Sequence, residues 1–171
     1  MFSEVELSKK NISFEEFTKE VLHDYYISWL SRHLSILGRK EVLTGKAKFG
    51  IFGDGKEVAQ VAMAKSFQNG DWRSGYYRDQ TFLIASGITD ADEFFSQLYG
   101  DTDVENNKGS GGRSFNNHYC SRTLNEDGTW KELTKMKNSA ADLSPTAAQV
   151  PRLLGLAYAS KLFRHNKDLK P

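Results

Sequence analysis

The sequence has little of what marks a secreted, membrane-bound or polyanion-binding protein. Its single cysteine, Cys120, can form neither an internal disulfide nor a cysteine-rich zinc site, so a reducing, cytoplasmic setting is expected. No apolar run approaches the ~18 residues that span a bilayer. The opening MFSEVELSKKN mixes acids with bases and lacks the apolar stretch of a signal peptide, so no membrane association is expected. Charge of one sign is also missing. With 23 Lys and Arg against 22 Asp and Glu, there is no basic surplus for nucleic acid, although one local phosphate site stays compatible with that balance. What is present suffices for a core: Leu, Ile, Val and Phe make up about 23% of the residues, above the ~20% below which disorder is expected. At ~150 residues per domain, 171 residues fit one domain.

The first strong element is a long amphipathic helix. Ser13 with Glu16 forms a capping box, Ile12 and Phe17 have the spacing of a hydrophobic staple, and Phe14, Phe17, Val21, Leu22, Tyr25, Trp29, Leu30, Leu34 and Leu37 recur at helical spacing until Gly38, a left-handed stop. Such an aromatic stripe reads as an interhelical or subunit seam. Asp54, with Glu57 at the reciprocal position, predicts the cap of a second helix running to near Gly70. Further helices are expected over Gln80 to Ser86 and from a Thr89 cap to Gly100. DTDVENNKGSGG, residues 101–112, reads as a loop that is mobile unless a partner orders it. Asp127-Gly128 predicts a turn of a short hairpin or another excursion. A last helix is expected from Ser144 as N-cap with Pro145 at its first position, bent at Pro151. Strands are hard to find.

Several motifs fail on inspection. The run from Asp101 has Asn106 and Gly112 where a calcium loop needs Gly and Glu. Gly109 to Arg113 has neither a preceding strand nor a following Gly-Lys-Ser/Thr, so it is no P-loop. His118 and Cys120 lack a third, orienting group, and Cys120 reads as a packing residue. The Gly-Asp-Gly at residues 53–55 is explained as well by a helix start as by a diphosphate or metal site. Tyr77 and Arg78 form the best anion site: a guanidinium clamps phosphate bidentately and a phenol adds a neutral donor. A surface pair between Arg78 and Asp79 is the competing account.

Four blocks, GKEVAQVAMAKSFQNGDWRSGYYRDQ, QLYG, GGRSFNNHY and LSPTAAQVPRLLGLAYASK, resemble, in order and spacing, the alpha part of thiamin-diphosphate-dependent 2-oxo-acid dehydrogenases over roughly residues 39–164. The QLYG and GGRSFNNHY blocks look closest to the branched-chain, 2-oxoisovalerate type. The resemblance implies that Tyr77 and Arg78 grip the cofactor diphosphate, and that Ser144 and the Thr146 backbone pack beside the aminopyrimidine ring. Gly55-Lys56-Glu57 falls to the subunit scaffold, and His118 to the stretch leading to the active-site cleft. Where relatives place a threonine that helps bind potassium, this chain has Ala148, while the following Gln149 is kept, so a potassium site stays open. The magnesium motif, a Gly-Asp-Gly followed about thirty residues later by Asn-Asn, is not matched by residues 53–55 and Asn106-Asn107, which lie over fifty apart. The metal ligands are expected beyond Pro171.

The resemblance therefore implies an α/β thiamin-diphosphate-binding fold, present as a mostly helical N-terminal fragment. Residues 1–38 would be a helical extension and 39–171 the incomplete alpha-type domain. The activity implied is oxidative decarboxylation of a branched-chain 2-oxo acid with acyl transfer to lipoyl, the fragment being inactive alone. Implied partners are a beta-type subunit or domain and a lipoyl acyltransferase, in a hetero-oligomer or a homodimer of a fused chain. The alternatives are a pyruvate or acetoin dehydrogenase alpha subunit, or a non-catalytic helical interaction module using the Phe17 and Trp29 stripe.

Overall fold

The computed structural model describes residues 12–166 and 168; the opening segment inspected for a signal lies outside them. In chain order the elements are α1 (Phe14–Leu43), α2 (Glu57–Ala64), β1 (Trp72–Tyr76), α3 (Gln80–Ala85), α4 (Ala91–Tyr99), a single 3-10 turn at Leu133–Lys135, β2 (Asn138–Leu143) and α5 (Gln149–His165). Helices surround a small sheet, in line with the α/β expectation.

That sheet corrects the impression that the sequence held no clear strand. β1 and β2 pair in parallel, Trp72 opposite Asn138, Arg73 opposite Ser139 and Tyr76 opposite Leu143, with a register shift between Ser74 and Tyr76. Parallel pairing requires a long crossover, here the stretch carrying α3 and α4. The strands escape notice because their buried positions are polar: Arg73, Asn138, Ser139 and Asp142 are all inside, and WRSGY and NSAADL show no apolar alternation.

The apolar core lies between helices. Ile27 and Leu34 of α1 meet Val61 of α2, Ile84 of α3, and Phe94 and Leu98 of α4, and a second cluster joins Ala64, Phe82, Leu83 and Tyr119. The Ser13 and Glu16 capping box forms as expected. Gly38, however, does not stop α1, which continues to Leu43. A Cβ there would come 2.4 Å from Cε1 of Phe52 and 3.2 Å from Cζ of Phe94, so the glycine admits two aromatic rings against the helix.

Other helix starts also shift. Asp54 does not cap α2: its carboxylate pairs with Arg39 at 2.6 Å, and Lys56 occupies the cap position. α2 also ends earlier than expected, at Ala64. The cap of α4 is Asp90, accepting from the Glu93 N–H, while the Thr89 hydroxyl donates to the Glu93 carboxylate. Gly100 ends α4 in the left-handed region as the sequence suggests. α5 begins at Gln149, not Ser144. Pro151 therefore falls in the first turn, where no N–H bond is required, and has no cause to bend the helix. The loop at 101–112 is folded onto the body: Asn107 within it is fully buried, and the Gly109 N–H donates to the Glu93 carboxylate of α4 at 3.1 Å. The turn at Asp127-Gly128 closes a bridge between Leu124 and Trp130.

Candidate functional site

The C-terminal ends of both strands deliver side chains to one place. β1 ends at Tyr76, followed by Tyr77 and Arg78; β2 ends at Leu143, followed by Ser144 and Thr146. Because the strands are parallel and Tyr76 is opposite Leu143, the two turns leave the sheet side by side. The Tyr76 and Tyr77 hydroxyl oxygens are 2.6 Å apart, with ring centroids 3.9 Å apart. The Thr146 hydroxyl of the other turn is close enough to the Tyr76 phenol to favour its ionised form. The Tyr77 ring stacks on His118 at 6.2 Å, and His118 Nε2 shares a short hydrogen bond with the Ser144 hydroxyl. The chain of contacts from Thr146 through Tyr76, Tyr77 and His118 to Ser144 links both turns.

The electrostatics of the group are uneven. The Tyr77 hydroxyl, then that of Thr146, hold the Tyr76 phenol below its usual value, and the charges of Arg78 and Lys56 add to this. Tyr77 is pushed upward, chiefly by its bond with Tyr76. Arg78 is exposed and its charge partly offsets the rise at Tyr77. The competing surface pair does not form, since Asp79 is turned to Arg73, 2.9 Å away. Among the described residues the Arg78 guanidinium has no ion pair.

The tautomer of His118 follows from its neighbours. Nδ1 lies 3.1 Å from the Asn116 carbonyl, which can only accept, so Nδ1 carries the hydrogen. In the neutral ring Nε2 is then the acceptor, and the Ser144 hydroxyl donates to it. Gln97 of α4 fixes the His118 backbone from both sides, donating to its carbonyl at 3.1 Å and accepting its N–H at 3.3 Å.

Strain and close packing hold the turns. The non-glycine residues with positive φ among those described are Asn117 (φ 59) and Ala147 (φ 67), next to His118 and Thr146. Such conformations cost of order 1–3 kcal/mol and gather at functional sites. The turn before α5 is closed by Gln149, whose amide donates to the Leu143 carbonyl at 2.7 Å. Behind Arg78, Gln60 of α2 donates to its carbonyl at 2.9 Å, and a Cβ on Gly53 would approach that carbonyl at 2.8 Å.

All four candidate residues, Tyr77, Arg78, Ser144 and Thr146, thus sit together. Sequence reasoning missed Tyr76, whose phenol joins the two turns, and left His118 without a role. A concavity of about 1120 Å³, lined by Ile88, Cys120, Arg122 and Lys137 among others, contains none of them. Cys120 within it is half-buried, with its thiol pushed up by burial and donating to the Gly109 carbonyl at 3.3 Å, in accord with a packing role.

A family model described as dehydrogenase E1 component matches residues 27–169, a span that includes every residue of this site. No curated protein matches the chain.

Proposed function

The chain belongs to the dehydrogenase E1 component family, thiamin-diphosphate-dependent components of 2-oxo-acid dehydrogenases, and from that premise we propose that the residues at the ends of β1 and β2 are its share of the cofactor site. The observation that carries this reading is an exposed, unpaired Arg78 beside two linked phenols, joined through Thr146 and His118 to Ser144. A diphosphate fits such a set, because it needs a cation and neutral donors, and Asp79 is withdrawn onto Arg73. Tyr77 and Arg78 would hold the diphosphate, and exposed Ser144 and Thr146 would flank the aminopyrimidine. When bound, thiamin diphosphate supplies the carbanion-stabilising carbon that decarboxylation of a 2-oxo acid requires.

The chain's own residues bind and orient. His118 Nε2 accepts the hydrogen bond of the Ser144 hydroxyl and so fixes the direction of that group. Because the Gly-Asp-Gly at residues 53–55 and Asn106-Asn107 do not have the spacing of the family's magnesium motif, we place magnesium ligation outside these residues. On the likeness of the QLYG and GGRSFNNHY blocks we assign a branched-chain 2-oxo acid such as 2-oxoisovalerate, with pyruvate or acetoin as the alternative, and lipoyl on a partner acyltransferase as acyl acceptor. A beta-type subunit or domain would complete the site. The outward stripe of α1, with Phe14, Phe17, Tyr25 and Trp29 exposed, gives such a partner or a sister chain an apolar face.

Two measurements test this reading. The 171-residue chain alone, with thiamin diphosphate and magnesium, should release no carbon dioxide from 2-oxoisovalerate; turnover would show that no partner is needed. In the assembled enzyme, Arg78→Ala should raise the thiamin diphosphate needed for half-saturation at least tenfold, from loss of a charge-assisted contact of ~1.5–3 kcal/mol. An unchanged requirement removes Arg78 from the site.

A further inference from the structure

The turns that carry the site share one buried anchor. The Arg73 guanidinium, 8% exposed, lies 2.9 Å from Asp79 Oδ2 and 2.7 Å from Asp142 Oδ1, and donates to the Ser139 hydroxyl at 2.6 Å. Each carboxylate holds a different backbone segment. Asp79 Oδ2 accepts the Tyr76 N–H at 3.0 Å, and Asp142 Oδ2 accepts the Tyr119 N–H at 3.1 Å. Tyr76 and Asp79 bracket Tyr77 and Arg78; Tyr119 follows His118; Asp142 stands two residues before Ser144. A single side chain therefore ties together the three segments on which the candidate site is built.

The fold makes room for this arrangement. Gly75 lies between Arg73 and the turn, and a Cβ there would fall 1.4 Å from Arg73 Nη2 and 2.4 Å from Asp142 Oδ1. The register shift of the sheet sits at the same place. The glycine and the bulge let the guanidinium fold back under the end of β1. Arg73 is buried, and its guanidinium faces the two carboxylates.

We infer that Arg73 is a positioning residue, which through Asp79 and Asp142 holds the Tyr77–Arg78 turn, His118 and the Ser144–Thr146 turn in one arrangement. The link to cofactor binding rests on the reading proposed above; the link between the segments does not. The planar fork matters because one ammonium cannot reach Ser139, Asp79 and Asp142 with the same geometry.

The test compares Arg73→Lys and Gly75→Ala with the native full chain. Gly75→Ala keeps every ionisable group and displaces the guanidinium from the Asp142 carboxylate, both of which the new Cβ would meet. Amide hydrogen exchange at Tyr76 and Tyr119 should speed up at least tenfold in both variants, while exchange in the α1 and α4 core stays within about twofold. In the assembled enzyme, with thiamin diphosphate and magnesium as the probe, the cofactor Kd should rise at least tenfold, with kcat at saturating cofactor changed less than threefold. Unchanged exchange at both amides overturns the inference. So does faster exchange with native cofactor affinity. If the native enzyme itself fails to bind thiamin diphosphate, the cofactor reading falls, and the exchange result alone decides whether Arg73 positions these segments. Should Arg73→Lys not fold, Gly75→Ala carries the same comparison.

Discussion

Phe94→Ala is expected to lower the free energy of unfolding by about 3–5 kcal/mol, the range for deleting a fully buried aromatic side chain. Phe94 has no exposed surface, meets Phe95 edge-on at 5.1 Å and Phe52 at 6.3 Å, and closes on α1 where Gly38 lacks a side chain. Collapse around the vacated space is opposed by α1, a 30-residue helix pinned at both Ile27 and Leu34, so the cavity term should be near its full size. Urea unfolding should show the midpoint falling with the m-value unchanged. Phe95→Ala is the internal comparison, since Phe95 is only partly buried against the same cluster; equal losses for the two would show that burial is not the cause. The effect should reach the site, because Gln97, on the same helix α4, holds the His118 backbone.

The parts of the fold legible in the sequence were those written in apolar periodicity and cap chemistry. α1 began where the Ser13 and Glu16 box put it, and α4 ended at Gly100. Errors came where a residue with a local role had been taken over by a distant partner. Asp54 has the chemistry of a cap, but Arg39 claims its carboxylate across fifteen residues. Ser144 likewise gives its hydroxyl to His118 across twenty-six. Gly38 reads as a stop in one dimension, and only the approach of Phe52 and Phe94 explains it in three. No local pattern could have announced these pairings, which depend on how the helices stack.

The site divides along similar lines. Tyr77, Arg78, Ser144 and Thr146 were marked by family-like blocks separated by over sixty residues, and the parallel pairing of β1 with β2 is what brings those blocks together. Tyr76 was masked by its neighbour: two adjacent tyrosines offer no reason in sequence to prefer one, yet here the Tyr76 phenol bonds that of Tyr77 and is influenced by the Thr146 hydroxyl. The polar strands hid the Arg73, Asp79 and Asp142 cluster for the reason that they hid themselves, because a buried arginine among serines and aspartates reads as surface.

Arg73→Met is expected to cost about 3–5 kcal/mol near pH 7, the usual penalty for removing one member of a buried ion pair, and the loss should shrink toward pH 5. The Asp142 side chain has no exposure, and its Oδ1 meets Arg73 at 2.7 Å in an ion pair not aligned as a hydrogen bond. Burial pushes its carboxyl up to about 6, with Arg73 and the Tyr119 N–H pulling back and Asp79 adding like charge. Its ordinary value is 3.8, so between about pH 4 and 6 the folded chain binds more proton than the unfolded one. By linkage, this group lowers stability as pH rises through that window, by on the order of 3 kcal/mol. Without Arg73 the carboxyl should titrate still higher, extending the decline above pH 6. Tyr119 and the Cys120 thiol, both raised chiefly by burial with the Asp142 charge adding to it, stay protonated in both proteins across this range, and Glu93, also raised chiefly by burial, is kept in both. The gap between native and variant, measured by urea unfolding, should therefore widen from pH 5 to pH 8, and adding Asp142→Asn to Arg73→Met should flatten it. A gap of constant size across that range would mean that the arginine's other contacts, including its guanidinium 5.8 Å over the Phe82 ring, cause the loss and that the unpaired carboxylate does not.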